Sequence, residues 1–365
     1  MMHGAAQREY ESLPHTYLDT AGYGLPPRRT VTALARCLEM WQDGAAEWER
    51  DWDTAGDRSR LLAGGVLGCD TDEVALLPAV SVGVGIALAS VGPGSEVLLP
   101  EDEFASVVLP VLAAARLRDL RIRRVPFAEL ANEVTPETAL AATSHVRSND
   151  GRVQDLVSLA EACRAVGAKV LVDATHAAGI LSIPSAALKL DFVLAAAYKH
   201  LLCPRGVALM RIAPAWWSTT PSIVASWRST ADVYARYYGP GLDDLAPTAA
   251  RFDVSLAWHA WVGAEQSLGF LNEVEAAERA EWCVGLASRL ADRLGVAPTG
   301  SSIVSVPVHD AARVRAALQA ARIRVSGKGS WVRVSFHLYN SEPEMHAVAE
   351  LLAPFVCVCA AGPCP

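Results

Sequence analysis

The chain has 365 residues, 52% of them hydrophobic, and a formal net charge of −8. Such a length accommodates two domains and a large core. The negative charge argues against nucleic acid and anionic membranes as partners, since both select basic patches. No apolar run spans a membrane's thickness without Gly, Pro or a charge interrupting it.

In chain order, Met1–Tyr17 lacks a basic region followed by an apolar one, so a cytoplasmic location is expected. Tyr17–Pro27 (YLDTAGYGLPP) reads as a loop of turn formers, and Pro27 to about Leu67 carries a helical pattern. Seven short apolar runs then alternate with helical segments: Glu73–Leu77, Glu96–Leu99, Ile122–Val125, Ala139–Val146, Lys169–Ala174, Phe192–Ala197 and Gly206–Ile212. Several are apolar on both faces, as in a sheet covered by helices on each side, so the rhythm predicts a doubly wound α/β fold. A Trp- and Tyr-rich stretch, 215–247, reads as a functional or interfacial loop. A long helix broken near Asn272 follows, then strand, helix, two strands and helix, the last opened by a Ser341/Glu344 capping box. The expected division is a large domain over 26–262 and a small α+β domain from 1–25 with 263–365. Eight cysteines show no zinc-type spacing; buried free thiols are expected, with a frayed tail for Cys357, Cys359 and Cys364 and no metal site.

The chemistry concentrates in KVLVDATHAAGILSIPSAALKLDFVLAAAYKHLLCPRG, Lys169–Gly206. One apolar strand ends in Asp173, and another ends at Tyr198-Lys199. Open α/β sheets bind ligands outside the carboxyl ends of their strands, so an acid and an amine are offered at one sheet edge. Pyridoxal phosphate (PLP) chemistry needs both groups. The lysine forms a Schiff base with the cofactor aldehyde and later moves the Cα proton, and the carboxylate keeps the pyridine nitrogen protonated. Lys199 follows a nearly all-apolar run, a poor setting for a merely solvated amine.

Asp173-Ala-Thr-His176-Ala-Ala-Gly179, with Lys199 26 positions after Asp173, resembles the class V aminotransferase superfamily of fold-type I PLP enzymes. The resemblance implies a large, mostly parallel seven-stranded sheet domain with a small C-terminal domain, PLP on Lys199, an amino-acid-like substrate and a homodimer. It also implies roles residue by residue. Leu76–Val91 matches the phosphate-binding turn and helix, with Val80 and Ser81 at its start. Phe104, in PEDEFASVV, takes the place of the aromatic that stacks on the cofactor. His176 lies near the cofactor, and Arg147 and Ser148, in HVRSNDG, approach its phenolic oxygen and the substrate. Tyr23, in the N-terminal loop, is a candidate substrate contact. Arg333, in WVRVSFHLYN, holds the substrate carboxylate. The family's Gly-Thr, which crosses to the partner's phosphate, is absent from RFDVSL; Ser255 is its candidate substitute, with Arg251 a further source of charge.

The loop RVSGKGSW before Arg333 contains no cysteine, which argues against a cysteine-desulfurase route through a persulfide. The motifs around a kynureninase's aromatic substrate are not recognisable. TAARFDVSLAWHAWVGAEQSLGFL is similar to the isopenicillin N epimerase-like branch, which includes carbon–sulfur lyases of the ergothioneine and lincosamide pathways. The resemblance therefore implies β-elimination from a cysteine S-conjugate, with residues Trp216–Tyr238 expected to wall the pocket. Decarboxylation-coupled oxidative deamination of a similar conjugate, transamination or epimerisation of an amino acid, and a non-catalytic scaffold are the alternatives.

Overall fold

The computed structural model describes residues 6, 8–10, 13–235, 237–327 and 329–357. Its centre is a seven-stranded sheet built from the seven apolar runs: β2 (Val74–Leu77), β3 (Glu96–Pro100), β4 (Arg121–Val125), β5 (Thr138–Ser144), β6 (Lys169–Asp173), β7 (Phe192–Ala196) and β8 (Ala208–Ile212), after a short β1 (Thr16–Tyr17). Their order across the sheet is β2-β8-β7-β6-β5-β3-β4. The pairs from β4 across to β7 are parallel, and β8 is antiparallel to both β7 and β2. The α/β, doubly wound, mostly parallel fold class expected from the sequence is therefore observed.

The two-faced apolar strands bury a core on each side of this sheet. One gathers Val74, Leu76, Val172, Val193 and Leu209, and the other Leu77, Leu171, Leu194 and Met210. Neighbouring residues of a strand point to opposite faces, which is why Leu76 and Leu77 fall in different clusters. Helices α1 (Arg28–Gln42) and α2 (Thr54–Leu67) pack with α6 (Trp258–Asn272), while α3 (Val80–Ala89) lies against α4 (Ala105–Arg118). A fifth helix, α5 (Leu156–Val166), is capped by Asp155, whose carboxylate accepts from the Val157 and Ser158 N–H groups.

A third apolar cluster joins α7 (Ala276–Leu294), β9 (Ile303–Pro307), α8 (Ala311–Ala320), β10 (Ile323–Arg324), β11 (Trp331–Ser335) and α9 (Glu342–Leu352), together with Leu18. β9 and β11 pair antiparallel, and β1 pairs parallel with β10. The Ser341/Glu344 capping box forms as expected. The break near Asn272 is also present. The expected boundary after residue 262 falls inside α6, which runs on to Asn272.

Cys37, Cys69, Cys163, Cys203 and Cys283 are free thiols, although Cys69 is only half-buried. Cys357, expected free, is in a disulfide. The rest of the tail, including Cys359 and Cys364, lies outside the described residues.

Candidate active site

Parallel register carries several loop starts to one edge of the sheet. Ser144 pairs with Asp173, and Asp173 with Leu194, so β5, β6 and β7 end side by side. β2 ends next to them and leads through Pro78-Ala79 into α3. Lys199, Asp173, His176, Phe104, Ser148 and Val80 all line one cleft at this edge.

The lysine is held from behind. The loop Asp19–Gly24 docks on its backbone, with the Gly24 N–H bonding the Tyr198 carbonyl at 2.9 Å. A Cβ at Gly24 would collide with the Lys199 carbonyl, so only glycine permits this approach. In front, Lys199 Nζ lies 3.0 Å from His176 Nε2 and 5.2 Å from the centre of the Phe104 ring. Burial lowers the ammonium to a pKa of about 8; Asp173 opposes that shift, and Arg333 and Arg205 reinforce it. A larger share of Lys199 is therefore the neutral, nucleophilic amine near pH 7 than for an ordinary lysine. The rate at which cofactor-free protein captures PLP should climb through pH 7 and level off above about 8, read as growth of visible absorbance. A rate that falls as pH rises over that range would contradict a depressed lysine.

Asp173 is buried, and burial is the main cause pushing its pKa up. Its Oδ1 accepts the Thr175 N–H at 2.9 Å, and Thr175 Oγ1 accepts the Ala196 N–H at 2.9 Å. The acid is thus tied to the strand that delivers the lysine. Behind it stands a row of buried imidazoles. His176 and His200 lie 5.7 Å apart, and His200 and His337 6.0 Å. Burial, first among the causes, drives all three pKa values down, so they are neutral.

The cleft continues past Phe104 to Arg147, Ser148 and Arg333. Arg333 donates from Nη1 to the Ser148 carbonyl at 2.6 Å and from Nε to Ser326 Oγ at 2.9 Å, and lies 3.5 Å from Asp19. Arg147 is committed elsewhere. It pairs with Asp102 and Asp150, and its guanidinium sits 5.1 Å over the Phe127 ring. Beyond Arg333 a cleft of about 570 Å³ opens between Asn149, Ser305, Ser326 and Trp331.

Several expected residues stand elsewhere. Ser81 is exposed and does not line the Lys199 cleft. Each helical step rotates about 100°, so Val80 facing inward turns Ser81 away. Ser106, from the first turn of α4, lines the cleft instead. Tyr23 is 40% exposed, packs on Tyr17 and Arg324, and does not line the cleft. Ser255 is exposed and accepts from Trp227 Nε1 at 3.3 Å. Arg251 likewise does not line the cleft. None of the described residues of Trp216–Tyr238 lines the Lys199 cleft or the one beyond Arg333. Trp227 and Tyr234 join an aromatic cluster with Trp48 and Trp258, with Arg228 buried on Asp53 beneath it.

Two residues escaped the sequence reading. Glu103 accepts from the Ser144 N–H at 2.7 Å and the Phe104 N–H at 2.6 Å, fixing the Phe104 ring against the end of β5. Arg205 lines the cleft with its guanidinium 5.0 Å from the Tyr198 ring centre. Neither stands in a pattern that a single sequence displays.

Residues 79–348 match the family model for aminotransferase class-V. The chain belongs to the aminotransferase class-V family. It is 27% identical over 343 residues to isopenicillin N epimerase of Streptomyces clavuligerus, covering 82% of this chain and 83% of that protein. It is 23% identical over 376 residues to the uncharacterized aminotransferase YcbU of Bacillus subtilis, covering 94% and 98%. Among solved structures it is similar in fold to the cystine C-S lyase C-DES in complex with cysteine persulfide. That match has a TM-score of 0.83 and 22% identity, and covers 94% of this chain and 98% of the other.

This member of the aminotransferase class-V family is a PLP-dependent enzyme. Its residues fit the cofactor on chemical grounds. A buried carboxylate with a raised pKa makes no ion pair of its own among the described residues and could face a pyridinium, a buried amine has its pKa lowered to about 8, and an aromatic ring faces that amine. Among the described residues no helix is long and apolar enough to cross a membrane, and no cluster of metal-binding side chains occurs.

Proposed function

We propose that this enzyme is a carbon–sulfur lyase that eliminates a thiol from a cysteine S-conjugate, leaving pyruvate and ammonia, in actinobacterial secondary metabolism of the lincosamide type. The observation that carries the reading is the cleft beyond Arg333, about 570 Å³ and bordered by the partly exposed Trp331. It leaves room for a substituent much larger than a cysteine side chain.

PLP supplies an electron sink for the carbanion when bound. The chain's own residues do the rest. Asp173 would hold the cofactor's ring nitrogen in its protonated form. Arg333 would grip the substrate carboxylate, with Ser148 fixing the guanidinium, and so set which Cα bond is broken. Lys199 Nζ would take the Cα proton; the electron pair left on Cα would form a Cα=Cβ bond as the Cβ–S bond breaks and the thiolate leaves with its bonding pair, and water would hydrolyse the released enamine to pyruvate and ammonia. His176 Nε2, 3.0 Å from Nζ, would position that amine. Phe104 would pack against the cofactor ring. Arg147 braces the loop that carries Ser148, through Asp102 and Asp150, and touches the substrate's edge of the cleft.

The proposal includes a homodimer in which Ser255 and Tyr23, both exposed in one chain, complete the neighbouring site. Similarity in fold to C-DES, a cystine C-S lyase, adds support. Similarity to isopenicillin N epimerase favours a second reading, in which the Cα proton returns to the opposite face.

Mass analysis of products from an S-cysteinyl conjugate tests both. Free thiol with pyruvate is the expected outcome. Loss of CO₂ with a two-carbon aldehyde would mean decarboxylation-coupled oxidative deamination. An intact conjugate with inverted Cα would mean epimerisation.

A further inference from the structure

The charges along the cleft are arranged in a line set by strand order. Asp173 ends β6, Lys199 follows β7, and Arg205 precedes β8, three successive strands of the sheet. At roughly 4.8 Å per strand, β6 and β8 lie about 10 Å apart with β7 between them. β8 runs antiparallel, so its start lies at the edge where the others end. Leu77 pairs with Ala208, which places Arg205 beside Pro78–Val80, where α3 begins.

That helix start has no side-chain cap; Ala79 occupies the N-cap position. The Val82 N–H bonds the Ala79 carbonyl at 3.2 Å, while no side chain caps the Val80 and Ser81 N–H groups, and the helix dipole adds partial positive charge there. Ser81 supplies no hydroxyl to the cleft. Lys199 and Arg205 are its lining cations, and Lys199 is consumed in holding the cofactor. Arg205 has no carboxylate partner among the described residues and rests on the Tyr198 ring.

We propose that Arg205 is the residue of this chain that binds the phosphate of PLP, closing a two-sided anion site with the N-terminus of α3. The inference rests on the reading of Lys199 as the cofactor anchor. It assigns the charge compensation to a residue of the same chain, ahead of Ser81 or Arg251. Arg205 is exposed, and the Tyr198 ring lies 5.0 Å from its guanidinium, whose fork of donors suits phosphate oxygens.

Equilibrium titration of cofactor-free protein with PLP and with pyridoxal, which lacks the phosphate, tests this directly. Arg205→Met keeps the apolar stem over Tyr198, and Arg205→Lys keeps the charge. In Arg205→Met the dissociation constant for PLP should rise about tenfold to a hundredfold, the value of a charge-assisted hydrogen bond, while that for pyridoxal moves less than about threefold. Arg205→Lys should recover part of the PLP affinity. Equal weakening toward both compounds, or no change toward PLP, would overturn the assignment. Wild-type protein that takes up neither compound would overturn the cofactor reading beneath it.

Discussion

Lys199→Ala should remove covalent retention of the cofactor and lower turnover by about 10²- to 10⁴-fold, the range for loss of a general base. The variant should still fold, because it deletes a buried charge from a cleft and leaves Asp173, Thr175 and the β6–β7 pairing intact. It should also still bind PLP non-covalently through the remaining contacts. Borohydride reduction followed by peptide mass analysis provides the readout. Wild-type protein should carry the reduced pyridoxyl group on the peptide containing Lys199, and the variant should carry none. Undiminished labelling, or turnover within tenfold of wild type, would show that another amine does this work.

Arg333→Ala should reduce kcat/KM by about 3 kcal/mol, roughly a hundredfold, with the loss falling mainly on KM. The arginine is only 17% exposed at its side chain, and burial lowers its pKa. A partly desolvated guanidinium is a strong partner for a carboxylate. Its removal also leaves the Ser148 carbonyl and Ser326 Oγ without their donor. Arg333→Lys should recover only part of the loss, since an ammonium keeps the charge but not the two-pronged geometry. A kcat reduced as much as kcat/KM, at unchanged KM, would point to a role in the bond-breaking step instead of carboxylate binding.

Most of the sheet was legible because its inner strands are buried on both faces and read as apolar runs, whereas the edge strand β4 (Arg121–Val125) carries three arginines. Leu171, Val172, Val193 and Leu194 carry that signal with no need of context. Asp173 and Lys199 were legible because a charge at the end of such a run is locally anomalous. Arg205 was not, because its place depends on β8 reversing direction next to β2, a pairing between residues more than a hundred positions apart. Ser81 misled because helix phase decides which side of α3 faces the cleft, and no single position reports it. The Trp216–Tyr238 segment reads in sequence as a pocket wall because nothing in it names the partners of its aromatics. Trp227 meets Trp48, which in turn stacks on Trp258 at 4.9 Å, and these contacts, not a bound molecule, account for the packing.

No continuous peptide builds the Lys199 cleft. Its lining comes from the ends of β2, β5, β6 and β7 and from the start of β8, so the surface proposed to hold the cofactor exists only once those strands are in register. An unfolded chain offers PLP little beyond scattered amines. Cofactor supply therefore acts on the folding equilibrium itself: at a hundredfold excess over its dissociation constant, PLP adds about 2.7 kcal/mol to the native state. The midpoint of thermal unfolding should therefore rise with PLP concentration, apart from any effect on catalysis.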